Sequence, residues 1–110
     1  MTKITLLWGE SGLVGLESRG HSDDSRHEGE DVVCAAVSAL VQALLVGLRD
    51  VAKIPRVDCK VDKSVPVICV RWPEERAPEL DVLTRTIAFS LREIASGYAG
   101  FVSISEVHVS

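Results

Sequence analysis

One cysteine and one histidine are spaced so that together they could form a nucleophilic site. His21 follows Gly20, and Cys34 lies thirteen residues later, shortly after Asp31. If Asp31 is the N-cap of a helix, Cys34 is the third helical residue, near unpaired backbone N–H groups and the positive end of the helix dipole. Both stabilise a thiolate, and the N–H groups could hold a developing oxyanion. The spacing therefore predicts Cys34 as a nucleophile and His21 as its general base.

Other interpretations of the same residues stay open at this point. His27 lies in the same polar segment and competes with His21, although the end of a predicted strand holds a catalytic group more reliably than the middle of a loop. A zinc site built from His21, His27 and Cys34 matches no standard ligand spacing, so we predict no metal and no cofactor. Cys34 could also be a small buried side chain or a redox sensor, but no resolving cysteine lies close to it in the sequence.

The elements that must position these residues follow from the hydrophobic pattern. Alternating or short apolar runs predict strands, and apolar residues three or four apart predict helices. These patterns predict strands over 4–8, 13–18, 57–61, 66–72 and 101–109. They predict helices over 32–51 and 79–96. The segment 21–31 has no aliphatic side chain and is predicted to be a loop. The expected fold is a small α+β domain of order ββαββαβ, in which a mixed sheet packs with two helices.

Composition limits the class of protein. The chain has 110 residues, of which 46% are hydrophobic and 25% charged, as expected for one globular domain spanning 1–110. The net charge of −4 disfavours nucleic acid as a ligand. The uncharged stretch 32–48 is short for a membrane span and is interrupted by Ser38, Gln42 and Gly47, so we predict a buried helix and no membrane partner. Three cysteines without paired spacing do not indicate a disulfide framework, and we expect a cytoplasmic protein.

The negative charge is concentrated in one place. Segment 21–31 holds five acidic side chains and one arginine, a balance of −4, whereas the rest of the chain carries eleven of each sign. The excess charge thus lies between the two predicted catalytic residues. This distribution favours a basic peptide as the ligand.

The first helix needs to be covered on more than one side. Its polar residues Cys34, Ser38 and Gln42 recur every four positions and share one face, while valine, leucine and alanine occupy the others. A sheet can cover one apolar side. The other side requires a second helix or another subunit.

These residues resemble a known signature. The pair Gly20-His21, a polar loop and the block Asp-Val-Val-Cys-Ala-Ala-Val-Ser over 31–38 are similar to the bacterial ribosomal-processing cysteine protease family, called Prp. The resemblance extends over nearly the whole chain, although the sharp motif covers about twenty residues. Ser22 departs from the family, which usually has a small apolar residue there, and this departure concerns substrate fit rather than the reaction.

The resemblance implies a cytosolic cysteine endopeptidase that works through a Cys/His dyad and an acyl-enzyme. By position, Cys34 matches the family nucleophile and His21 the base, and Gly20, Asp31 and Ser38 are predicted to support them. The implied substrate is the precursor of large-subunit ribosomal protein twenty-seven, which loses a short N-terminal extension. The family also implies a homodimer. The alternative is a non-catalytic dimeric module that binds ribosomal partners.

Overall fold

The predicted order of elements is confirmed by the computed structural model, which describes residues 1–20, 30–62 and 67–109. The strands are β1 (Thr2–Gly9), β2 (Gly12–Arg19), β3 (Asp58–Asp62), β4 (Val67–Arg71) and β5 (Val102–His108). The helices are α1 (Glu30–Val46) and α2 (Asp81–Gly97). A π-helical turn over Gly47–Val51 extends α1, and short 3-10 turns over Glu74–Arg76 and Pro78–Leu80 precede α2. The fold is the expected α+β arrangement.

The five strands form one mixed sheet in the order β3-β4-β2-β1-β5. β1 and β2 form an antiparallel hairpin, and β1 also pairs with β5 in parallel. Gly12 has a φ of +136° at the hairpin turn, a backbone conformation that glycine adopts without a steric penalty. The first and last strands are therefore neighbours, and β1 lies between β2 and β5.

Both helices contribute to a core on one face of the sheet. Alternation along the strands sends Leu6, Leu16 and Val70 to this face, where each is fully buried. The helices contribute buried residues at helical spacing, among them Val37 and Leu44 of α1. The side chains of the opposite sheet face include Lys3, Glu17, Arg19 and Lys60, which follow from the same alternation. One sheet face is thus apolar and covered, and the other is largely polar.

The start of α1 corrects one prediction. The helix begins at Glu30, so Asp31 lies inside the first turn and is not the N-cap. Acidic residues are favourable in a first turn because of the helix dipole, which explains why the helix extends one residue beyond the predicted cap. Cys34 is consequently the fifth helical residue rather than the third. It lies just after the first turn of the helix, whose backbone N–H groups have no partner within a helix.

By length and composition, α1 and its extension resemble a membrane helix. The segment Val32–Val51 has a mean hydropathy of 2.0 and is long enough to cross a membrane. In the structure, however, Val33, Val37, Val41 and Leu44 pack into the core. The core helix of a compact domain meets the same criteria of length and composition, and this is the role that α1 has in the fold.

Candidate active site

A cavity of about 280 Å³ lies beside the N-terminal half of α1, at the ends of four strands. β1 begins there, β2 ends there, and the end of β3 lies beside the start of β4 there. Its walls are formed by Thr2, Ser18, Gly20, Cys34, Val37, Ser38, Val61, Asp62, Val67 and Ile68. The cavity is therefore built where the sheet meets the first turns of the helix.

The structure brings three of the predicted site residues together at this cavity. Gly20, Cys34 and Ser38 all line it. Asp31 lies in the first turn of α1, one helical turn before Cys34. His21, His27 and the predicted loop as far as residue 29 lie outside the described residues, and so do the histidines of the zinc alternative. His21 is the next residue in sequence after Gly20, so its role as general base stays a prediction.

The sulfur of Cys34 has a defined neighbour. The thiol is half-buried, and its Sγ lies 3.3 Å from Thr2 Oγ1, within hydrogen-bonding distance for sulfur. Thr2 itself is only 4% exposed, and its backbone N–H donates to the carbonyl oxygen of Phe101 at 2.8 Å. The hydroxyl that meets the sulfur is therefore carried by the start of β1, an interior strand of the sheet.

Sequence reasoning missed Thr2, although a signal was present. Thr2, Ile4 and Leu6 alternate along β1 and share the face that is buried. A polar residue on an otherwise apolar strand face needs a hydrogen-bonding partner. Ser18, also buried, pairs with Ile4 on the neighbouring strand and lies on the same side of the sheet. Two buried hydroxyl groups on the core side of the hairpin thus mark the place where the cavity lies.

The lining of the cavity combines apolar and polar side chains. Valine and isoleucine side chains from α1, β3 and β4 form the apolar part, namely Val37, Val61, Val67 and Ile68. Thr2, Ser18, Ser38 and Asp62 supply hydroxyl and carboxyl groups. Pockets with an apolar lining and a few placed polar groups are typical of sites that bind a ligand in one orientation. A thiol in such a wall can meet the carbonyl carbon of a bound peptide.

The two other cysteines have different surroundings. The alternation in 57–61 and 66–72 predicts a core position for Cys59 and for Cys69, and Cys59 does pack against the core. Cys69 was also expected in the core, but alternation with the buried Val70 places it on the opposite, largely polar face. Burial raises the pKa of the Cys69 thiol, and the nearby carboxylate of Glu17 raises it further. Neither of these cysteines lines the cavity.

The family model described as cysteine protease Prp matches residues 1–103. A comparison with curated proteins finds no match.

Solved structures of similar fold include the essential ribosomal processing protease Prp from Staphylococcus aureus in complex with a substrate peptide. It is 20% identical, has a TM-score of 0.82, and the match covers 97% of this chain and 100% of that one. SMU.848 from Streptococcus mutans is 21% identical with a TM-score of 0.85, over 99% of this chain and 96% of that one. The Staphylococcus aureus protease with a covalently linked product peptide is 20% identical with a TM-score of 0.78, over 97% and 100% of the two chains. These likenesses show that the fold is shared.

Proposed function

This chain belongs to the cysteine protease Prp family, and from this premise we propose that Cys34 is its nucleophile and His21 its general base. The chain is thus a cysteine protease, which sets aside the alternative of a non-catalytic binding module. The observation that carries the assignment is the position of Cys34 in the wall of the cavity. Cys59 and Cys69 do not line that cavity. Gly20, which follows the end of β2, does line it, and Gly20 directly precedes His21 in the sequence.

The reaction is peptide hydrolysis in two stages. His21 takes the proton of the Cys34 thiol, and the thiolate adds to the scissile carbonyl carbon. The carbonyl oxygen becomes an oxyanion, which unpaired N–H groups of the first turn of α1 can stabilise. When the C–N bond breaks, the imidazolium gives its proton to the leaving amine and an acyl-enzyme remains. Water then attacks this thioester, His21 accepts the proton of the water, and the thiolate leaves.

The proposed substrate is the precursor of large-subunit ribosomal protein twenty-seven, from which a short N-terminal extension is removed. The family resemblance of the motif over 31–38 supports this choice. The shared fold with a ribosomal processing protease that was solved in complex with a substrate peptide supports it as well. The net charge of −4 in segment 21–31 fits a basic peptide, because opposite charge raises the rate of encounter. Such a substrate places the enzyme in the cytoplasm, where ribosomes assemble.

The enzyme is further proposed to act as a homodimer through the outer side of α1. This side, here called the outer α1 face, consists of exposed apolar residues at helical spacing, namely Val32, Ala35, Ala36, Ala39, Ala43 and Val46. Val32 is 73% exposed, and no charged side chain occurs from residue 32 to residue 48. A second copy offers the same uncharged face and would remove both from water. The family resemblance supports this partner.

The substrate and the nucleophile can be tested together. The chain is incubated with a peptide spanning the junction between the extension and the mature protein, and the products are identified by mass spectrometry. We expect one cleavage at the junction, a loss of about 10³-fold or more in kcat with Cys34→Ala, and a comparable loss with His21→Ala. The matched control Cys59→Ala leaves cleavage intact because Cys59 packs against the core away from the cavity lining. Cleavage that survives Cys34→Ala would refute the nucleophile, and failure of the wild type to cut this junction would refute the substrate.

A further inference from the structure

We propose that Thr2 is a positioning residue, whose hydroxyl holds the sulfur of Cys34 and donates a hydrogen bond to its thiolate. This inference rests on the proposed function, because it concerns the group that attacks the substrate. The two side chains are 32 residues apart in sequence, and their atoms are 3.3 Å apart in space. The contact joins the start of β1 to the first turns of α1.

The hydroxyl of Thr2 is held in place by the sheet. Its backbone N–H donates to Phe101, and Thr2 is paired with Val102 of the parallel strand β5. A β-branched side chain has few accessible rotamers on such a backbone. Thr2 is also 4% exposed, so water competes little for its O–H group. The hydroxyl group of Thr2 is therefore held in a fixed position beside the sulfur of Cys34.

The chemical role of this contact depends on the charge of the sulfur. With a neutral thiol, either atom can be the donor. A thiolate has no proton, so only the Thr2 hydroxyl can donate to it, and hydrogen bonds to an ionised partner are the stronger kind. The contact thus stabilises the thiolate more than the thiol. When sulfur bonds to the carbonyl carbon its negative charge moves to the carbonyl oxygen, and the charge returns to sulfur when the thiolate leaves the acyl-enzyme.

The start of the helix explains why a donor from the sheet is needed. Cys34 is the fifth residue of α1, so its own N–H has an acceptor within the helix. The unpaired N–H groups belong to the preceding turn, where the proposed mechanism uses them for the oxyanion. Thr2 supplies a hydrogen-bond donor to the sulfur itself. The N–H groups of α1 then stabilise the oxyanion of the substrate, and the Thr2 hydroxyl of β1 stabilises the sulfur of the nucleophile.

The test compares Thr2→Val, which removes the hydroxyl at nearly constant shape, with Thr2→Ser, which keeps it. Alkylation of Cys34 by iodoacetamide is followed against pH, with each cysteine resolved by mass spectrometry. We expect Thr2→Val to be alkylated at Cys34 about tenfold more slowly than the wild type at neutral pH, and Thr2→Ser to stay near the wild-type rate. At neutral pH, kcat/KM for the peptide should fall about tenfold in Thr2→Val and recover in Thr2→Ser. Both variants should react fully at high pH.

Cys69 serves as an internal control because it lies on the opposite face of the sheet. Its alkylation profile should be the same in all three proteins, which shows that the fold is retained. A Thr2→Val profile equal to the wild type, or a loss of kcat/KM that is the same at every pH and is not restored by Thr2→Ser, would overturn the proposal. Cleavage by Cys34→Ala would refute the nucleophile instead. An inactive Cys34→Ala with an unshifted Thr2→Val refutes only the role of Thr2.

Discussion

Ser38 lies one helical turn after Cys34, and the two side chains line the same cavity. Residues four apart on a helix share a face, so the polar stripe of α1 is also the wall of the candidate active site. Gln42 continues this stripe in the sequence but does not line the cavity. The part of α1 that lines the cavity is thus confined to its first three turns.

A larger side chain at Ser38 should obstruct the substrate. Ser38→Leu adds apolar volume to the cavity wall at an exposed helical position, so the protein should still fold. We expect kcat/KM for the junction peptide to fall more than about tenfold, because a misplaced substrate loses the alignment with the nucleophile. Alkylation of Cys34 by a small reagent should change less than about threefold, since such a reagent needs less room.

The same substitution on α2 is the control for Ser38→Leu. Ser96 is exposed near the end of that helix and does not line the cavity. Ser96→Leu should leave both cleavage and alkylation as in the wild type. Equal kcat/KM values for the two leucine variants would contradict a substrate site at this cavity.

A charge on the outer α1 face should separate the proposed dimer. Ala43→Arg places a guanidinium on this exposed apolar face without touching the cavity lining. In a two-fold interface the charge occurs twice and must be desolvated, so the molar mass from light scattering should fall to that of a monomer. Val82→Arg on α2, where the valine is 82% exposed, is the matched control and should stay dimeric. A monomeric wild type, or a dimeric Ala43→Arg, would contradict the proposal.

Trp72 should contribute more to stability than Trp8. The indole N–H of Trp72 donates to the carbonyl oxygen of Leu13 at 2.8 Å, and Trp72 is only 5% exposed. Trp72→Phe leaves that carbonyl without its buried partner, so the free energy of unfolding should fall by about 1–3 kcal/mol. Trp8→Phe removes an exposed hydrogen bond to Glu106 and should cost about 1 kcal/mol or less. Urea denaturation measures both, and a larger loss for Trp8→Phe would show that the buried bond is not the decisive one.

The ion pair of Glu106 should give stability that depends on pH. The hydrogen bond from Arg92 lowers the pKa of the Glu106 carboxyl below its ordinary value of 4.5, and that from Trp8 adds to the effect. A pKa lowered by folding means that the stabilisation is present above pH 4.5 and is lost as the pH falls through the lower, folded value. Glu106→Gln should therefore reduce the free energy of unfolding at neutral pH by less than about 1 kcal/mol, because the pair is exposed.

The pH profile distinguishes this pair from a general effect of charge. The difference between wild type and Glu106→Gln should shrink toward zero as the pH falls below the folded pKa of Glu106. Glu93→Gln removes the same charge from an exposed position of α2, where the glutamate has no ion pair with a residue in 1–20, 30–62 or 67–109. Its effect should be smaller at neutral pH. A difference for Glu106→Gln that does not change with pH would contradict the role of the carboxylate.

Much of the fold could be predicted because secondary structure leaves a local pattern. Alternation in 4–8 and 13–18 and the spacing of three and four in 79–96 indicated the type and order of elements, since side-chain direction repeats with a period of two or 3.6 residues. The same pattern placed Cys34 and Ser38 on one face of a helix. Element ends were less certain: the helix extends to Glu30 because the residues around Asp31 tolerate either a capping or a helical conformation.

Alternation did not by itself tell which face of the sheet is covered. Cys59 and Cys69 lie in neighbouring strands with similar patterns, yet one packs against the core and the other lies on the opposite face. The register of β3 with β4 decides this, because a shift of one residue exchanges the two faces. Register depends on pairing between strands, which a single segment of sequence does not contain.

The sequence by itself predicted the nucleophile and its base, and it determined the family and the order ββαββαβ, because a motif and a hydrophobic period are local patterns in the chain. Only the tertiary structure decided that Thr2 lies beside Cys34 and that β3 and β4 complete the cavity wall. Both contacts join segments far apart in sequence. They arise because β1 lies between β2 and β5 in the sheet while α1 packs across the sheet, and the packing of apolar surfaces fixes that arrangement.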